Sequence, residues 1–405
     1  MTIKKFWLEQ SKSIYWQKKP SVAFSKKKDN YIDWFPDGKL NVFYNCVTKN
    51  LNQGLGGKIA IYFINKEKKI ESFTYKDLDE KINIFSNILL SNLKIKNLKK
   101  TKIVIHGSAS IETTISMFAC AKLGIHFSVI FEDLAPEAIH KRILLLKPNL
   151  FITRFSKTKF TKDIFSKIKL KKMKLIFFEN IKYLNKKINI KKISPIAVNS
   201  NKELFTLFTS GSTGVPKGIV HSSGGYLVAT KYTSIKQFGM NTQSVVLTAS
   251  DAGWLNGHTY ALFGPLSLGA TTVLLESPML LVDENFLKKI LNLKVSILYV
   301  PVTIIRMMKA VFGDKKFHTK YLKTLGSMGE HLASSVAEWF SDRFTSKNKS
   351  VINCYYQTEN GATIFSPTYK DTIKKVPHGS TGKSVTKFLK TNKLDKNQKK
   401  EIKLL

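Results

Sequence analysis

"FTSGSTGVPKG", residues 208–218, follows the apolar run "LFTLF" and interleaves Thr209, Ser210, Ser212 and Thr213 with Gly211, Gly214 and Gly218. Glycines let backbone N–H groups approach an anion closely, the hydroxyls add donors, and Lys217 brings a positive charge. That combination is phosphate chemistry. It is not the G-x-x-x-x-G-K-[ST] loop, whose glycines lie further apart than Gly211 and Gly214. Most Ser/Gly clusters are flexible surface turns. The position of this one, directly after a strand and joined to Pro216-Lys217-Gly218, argues for the phosphate loop instead.

Working outward, strands and helices alternate. "KIAIYFI" reads as a strand, "TYKDLDEKINIFSNILLSNL" as a helix opened by Thr74 with Asp77 three residues on, and "TKIVIHG" as a buried strand. "IETTISMFACAKLG" is a further helix closed by Gly124, and "IHFSVIF", "PEAIHKRILLL", "NLFIT" and "KLIFFEN" continue the alternation. Residues 159–201, dense in Lys and Asn, read as a bridge between two sheet-containing halves. A second α/β pattern then starts at "ELFTLFTSG" and runs through "SVVLTAS", "TTVLLES", "ENFLKKILNL", "VSILYVP", "VTIIRMMKAVFG" and "LKTLGSMG". The expected fold class is α/β with two sheet subdomains. Residues 1–55 read as an N-terminal extension packed on that body, residues 56–384 as the main domain, and residues 385–405 as a frayed Lys-rich tail.

Composition narrows the function classes. The 405 residues are 43% hydrophobic and 23% charged, enough for more than one core, and no apolar run approaches a membrane span. A soluble, cytoplasmic protein without a membrane partner is the default expectation. Three scattered cysteines, Cys46, Cys120 and Cys354, signal neither a disulfide framework nor a zinc site and read as buried thiols. A net charge of +38 invites a polyanion partner. Yet only four of the 66 basic residues are Arg (Arg142, Arg154, Arg306 and Arg343), and a Lys excess beside many Ile and Asn is what A+T-rich codons produce. No specific nucleic-acid partner is expected, because such sites draw on Arg for bidentate and stacking contacts.

Three motifs in order carry a resemblance. "TSGSTGVPKG", "GSMGE" (326–330) and "YYQTENG" (355–361) are similar to the phosphate loop, the adenine-contacting strand end and the second signature of the adenylate-forming superfamily. "WFPDGKLNVFYNCV", "HSSGGYLVATKYT" and "ASDAGWLNGHTYALFGPLSLGATTVLLES" look like its acetyl- and propionyl-CoA synthetase branch, and the likeness runs from about Phe6 to about Ser384. The resemblance implies an AMP-forming acid–thiol ligase: a short carboxylate, acetate or propionate, reacts with ATP to give acyl-adenylate and pyrophosphate, and the acyl group then passes to coenzyme A.

It also implies roles. Thr209, Ser210, Gly211, Ser212 and Thr213, with Gly214 and Lys217, would hold the β- and γ-phosphates. Gly329, Glu330 and His331 would frame the adenine, and Asn353, Cys354, Tyr355, Tyr356, Gln357 and Thr358 would line the nucleotide. Thr358 would meet the α-phosphate and Glu359 would bind Mg²⁺, so that Thr209, Lys217, Thr358 and Glu359 carry the chemistry. Trp254, Leu255, Asn256, Met328 and Tyr356 fall where the branch builds its acyl pocket; by themselves Trp254 and Tyr356 would read as core aromatics.

Departures qualify these roles. His331 stands where the branch has Pro, Asn353 where it has an acid, Tyr355-Tyr356 where it has Trp-Trp or Tyr-Trp, and Leu255 and Asn256 where it has Val and Thr. Ser296 replaces an Asn, and no Arg-Gly-Gly element marks a coenzyme A site near residues 154–170. Nothing after Ser384 resembles the superfamily's ribose-holding Asp, its hinge or its mobile C-terminal domain, so the β-rich part after the sheets is expected to be incomplete and that domain to be absent or carried by a separate chain. The alternatives are an impaired ATP-binding remnant and, from another class, a basic polyanion-binding protein.

Overall fold

Glu203–Thr209, the strand before the candidate phosphate loop, pairs antiparallel with Lys217–Ser222 and parallel with His126–Ile130. It therefore closes the first sheet rather than opening the second. A computed structural model describes residues 1–26, 32–93, 95–154, 173–178, 190–209, 216–345, 349–391 and 402–404. Among the described residues two large sheets dominate.

In chain order their strands are β1 (Ile59–Ile64), β2 (Ile70–Thr74), β3 (Lys102–His106), β4 (His126–Ile130), β5 (Leu150–Thr153), β6 (Lys174–Phe177), β7 (Glu203–Thr209), β8 (Lys217–Ser222), β9 (Val245–Thr248), β10 (Thr271–Leu275), β11 (Ile297–Pro301), β12 (Thr324–Met328) and β13 (Ile352–Asn353). The first sheet has the order β8-β7-β4-β3-β5-β6 and the second β13-β12-β11-β9-β10-β1-β2. Each is parallel apart from one edge pair, β7/β8 in the first and β1/β2 in the second. The first strand of the α/β pattern thus belongs to the second sheet, where β1 runs beside β10. Hydrophobic periodicity reports which segments are strands; which strand a segment pairs with is set by side-chain fit across distant parts of the chain.

The main core lies between the sheets. One buried cluster joins Ile103, Phe127 and Phe205 of the first sheet, Ile61 and Leu274 of the second, and Phe85, Phe118 and Phe263 from the helical segments. The helix Tyr75–Asn92 begins with the reciprocal Thr74/Asp77 capping box, and Ile111–Leu123 ends on Gly124 in the left-handed conformation. On the far side of the second sheet pack the helices Glu284–Leu291, Val302–Phe312 and Ser334–Phe344. Covered on both faces, β3 and β4 read as near-continuous apolar runs. Among the described residues no helix is long and apolar enough to cross a membrane. Cys46, Cys120 and Cys354 are buried free thiols.

The N-terminal arm is fastened to this body by polar contacts. Asn41, fully buried, donates to the carbonyls of Ala121, Lys122 and Ile196, and Lys39–Leu40 pairs with Val198–Asn199. Near the other end of the chain, Leu389–Thr391 pairs antiparallel with Ile402–Leu404.

Lys231, on the helix Ser223–Phe238, is buried and donates to the Ser13 carbonyl of the arm. Burial, reinforced by the neighbouring Lys49, pulls its ammonium down to about 7. Between about 7 and its ordinary 10.5 the native chain binds fewer protons than the unfolded one, so stability rises with pH across that window. Urea titrations at about pH 6 and about pH 9 are expected to show that rise in the wild type and a flatter profile in Lys231→Met.

Candidate active site

Parallel strands deliver their C-terminal ends to one edge, and the loops leaving that edge converge. In the second sheet Gly326 and Ser327 stand beside Ile352 and Asn353, and Pro301 beside Met328. The segments starting at Gly329 and Cys354 therefore leave neighbouring strands at the same edge. The segment after β9, which carries Trp254, Leu255 and Asn256, leaves that edge two strands away.

Thr209 and Lys217 face each other across the β7/β8 pair. Ser210, Gly211, Ser212, Thr213 and Gly214 lie outside the described residues. Further along β8 on the same face, His221 donates from Nε2 to the Thr358 carbonyl at 2.8 Å. Burial pulls this imidazole down to about 4, so it is neutral at physiological pH. Thr259 donates its hydroxyl to the Gly361 carbonyl at 2.9 Å. The turn Thr358–Asn360 is thus held at both ends, and Glu359 at its centre is exposed.

The acyl-pocket candidates divide. Asn256 donates from Nδ2 to the Tyr356 hydroxyl at 2.6 Å and to the Met328 sulfur at 2.9 Å, which brings three of the five together. Leu255 is buried beside Asn256 in the chain, whereas Trp254 is 58% exposed and stands edge-on to Phe131 with centroids 5.0 Å apart. Burial raises the Tyr356 phenol well above its ordinary value. Tyr356 acts here as a neutral hydrogen-bonding group.

The nucleotide candidates are held by their own partners. Glu330 pairs with Arg306 at 3.2 Å and accepts from the Thr303 hydroxyl, and Arg306 also donates to the His331 carbonyl at 3.3 Å. Gly329 adopts φ +93°, and both Glu330 and His331 are exposed. Asn353 is buried, accepting from Ser327 Oγ at 3.2 Å and donating to the Gly379 carbonyl at 2.8 Å. The Cys354 amide donates to the Ser327 carbonyl at 3.1 Å, and burial pushes its thiol up to about 11. Gln357 donates to the exposed Tyr355 hydroxyl at 3.4 Å.

A family model described as AMP-binding enzyme matches residues 49–403, and one described as acetyl-coenzyme A synthetase N-terminus matches residues 2–46. The chain belongs to the AMP-binding enzyme family. It is 31% identical over 389 residues to an acetyl-coenzyme A synthetase of Helicobacter pylori (strain P12), 89% of this chain and 58% of that protein. Acetyl-coenzyme A synthetases of Streptomyces coelicolor (30%, 89% and 59%) and Leptospira biflexa (32%, 89% and 60%) are similar to it in the same way. The chain spans about three fifths of the length of these relatives. The crystal structure of Brucella canis acyl-CoA synthetase superposes with a TM-score of 0.74 at 19% identity, over 90% of this chain and 66% of that one. That likeness shows the fold.

Within this member of the AMP-binding enzyme family, three residues to which the motifs assign no role organise the candidate site: His221, Thr259 and Arg306. For His221 a signal was present, since Lys217, Ile219 and His221 alternate onto one strand face. Gly361 is the point where the clamp is most exposed to substitution. It adopts φ +74°, and a Cβ there would meet His221 at 3.1 Å and Tyr226 at 3.2 Å. Gly361→Ala is expected to lose about 1–2 kcal/mol of stability from the left-handed backbone. Displacement of the Glu359 turn is expected to weaken Mg·ATP binding alongside; calorimetry and urea unfolding of the same variant check both.

Proposed function

We propose that this chain binds Mg·ATP and a short carboxylic acid and joins them as acyl-adenylate with release of pyrophosphate, in the manner of an acetyl-CoA synthetase that then forms acyl-CoA and AMP. The observation that carries this reading is the hydrogen bond from His221, on β8, to the Thr358 carbonyl, because β8 is the strand that begins with Lys217. It ties the turn that carries Glu359 to the strand that carries Lys217. In this reading Thr209 to Gly214 and Lys217 hold the terminal phosphates, and Thr358 meets the α-phosphate. Gly329 to His331 and Asn353 to Gln357 flank the nucleoside, while Leu255, Asn256, Met328 and Tyr356, with Trp254 outside them, receive the acid. The working boundaries are an N-terminal extension over 1–55, an adenylation domain over 56–384 and a tail over 385–405.

Glu359 fits Mg²⁺. It is a single exposed carboxylate, and among the described residues no group of three or more His, Cys, Asp or Glu could hold a metal ion. One carboxylate plus substrate phosphates is how Mg²⁺ is usually bound. There the ion would offset phosphate charge. The chain's own contribution is positioning and donor groups: attack on the α-phosphate needs aligned oxygens and fixed positive charge rather than a protein nucleophile. The cytoplasm, which supplies ATP and coenzyme A, is the compartment this reading implies.

Titration calorimetry with Mg·ATP, followed by pyrophosphate exchange into ATP across a panel of short acids, tests the reading. Binding is expected, with exchange dependent on the acid. A folded chain that binds no ATP overturns it.

A further inference from the structure

Asn256 is 1% exposed, and its Oδ1 has no hydrogen-bond partner among the described residues. Its Nδ2 meets two groups at once, the Tyr356 hydroxyl and the Met328 sulfur. A buried polar atom left unpaired is costly, so such an atom in a folded protein calls for an explanation. Turning the amide over does not remove the difficulty. Oδ1 would then accept from Tyr356, and Nδ2 would lose both its partners. In either orientation one end of the amide waits for a partner.

We propose that this partner is the hydroxyl of the substrate acid, and that the chain activates a short hydroxycarboxylic acid in preference to its unsubstituted counterpart. The inference rests on the proposed function, which makes Asn256, Met328 and Tyr356 the acid's surroundings. A hydroxyl both donates and accepts, so it satisfies the amide in either orientation. A methyl or methylene group in its place leaves the amide dry. A buried site that is built to hydrogen-bond a substrate hydroxyl discriminates strongly against the analogue lacking it, whereas an apolar pocket separates acids only weakly by one methylene. Met328 sets its sulfur against the amide, and Leu255, the preceding residue, is buried too, which favours a short chain around that single polar contact.

The test uses the whole 405-residue chain and non-reactive acyl sulfamates of adenosine, paired so that the members differ by one hydroxyl: propionyl against 2-hydroxypropionyl and 3-hydroxypropionyl. Calorimetry is expected to show one hydroxylated member binding at least about tenfold more tightly than the propionyl compound. In Asn256→Leu that ratio is expected to collapse towards one. Asn256→Ala, which removes the amide without adding bulk, provides the second variant if Asn256→Leu does not fold, and is expected to narrow the ratio in the same way. A wild-type chain that binds the propionyl compound as well as both hydroxylated ones overturns the inference and leaves the proposed function standing. A preference that survives in the folded variants overturns it too. A folded chain that binds none of the three compounds and no ATP overturns the proposed function, and this inference with it.

Discussion

Gly257→Ala is expected to destabilise the chain by about 3 kcal/mol, at the upper end of what overpacking a filled interior costs. Asp251 to Gly257 are wound tightly after β9: the Asp251 carboxylate accepts from the Gly253 amide at 2.8 Å, the Trp254 amide donates to the Asp251 carbonyl at 3.1 Å, and the Gly257 amide to the Trp254 carbonyl at 3.1 Å. A Cβ on Gly257 would stand 2.0 Å from the Asp251 carbonyl oxygen and 3.0 Å from the Ala252 Cα. Both are backbone atoms, so no side-chain rotation relieves the clash. The segment must shift, and Asn256, one residue away, shifts with it. Urea unfolding measures the loss, read as a lower midpoint at unchanged slope. A variant within about 1 kcal/mol of wild type would show that the wound segment yields at little cost, and that Asn256 is less firmly placed than its contacts imply.

Glu359→Gln is expected to weaken Mg-dependent ATP binding about thirtyfold, or about 2 kcal/mol, the scale of one hydrogen-bonded or coordinated charge. The proposed role of Glu359 makes a second result equally specific. Without Mg²⁺ the carboxylate faces phosphate as a like charge, so the same variant should bind metal-free ATP at least as well as wild type. Calorimetry in magnesium and in chelator separates the cases. Equal losses in both buffers would mean that Glu359 acts through the fold of its turn, and the metal assignment would fail.

The candidate site was partly legible in the sequence because its motifs are local. Glycine and hydroxyl spacing at 208–218 reads as a candidate phosphate loop, and the residues around 326–330 and 355–361 resemble known signatures. The partners of those residues were not legible, because they come from elsewhere in the chain. Thr358 is held by His221, more than a hundred residues earlier, and Glu330 by Arg306 on the helix Val302–Phe312. Asn353 reads as a nucleotide-lining residue, yet its side chain joins Ser327 to the Gly379 carbonyl. A buried amide takes whichever partners packing brings to it.

By itself the sequence determined the α/β class, the main strands and helices, the Thr74 and Gly124 helix ends and the buried state of the three cysteines. Each follows from periodicity, capping chemistry or residue type within a short window. Only the tertiary structure decided the partition into sheets. Ile59–Ile64, near the start of the α/β pattern, runs beside Thr271–Leu275, while Glu203–Thr209, which reads as the start of a second half, runs beside His126–Ile130. A strand's own residues specify that it is extended and which face it buries. Its neighbour is chosen by fit between surfaces far apart in the chain, within a core that both sheets share.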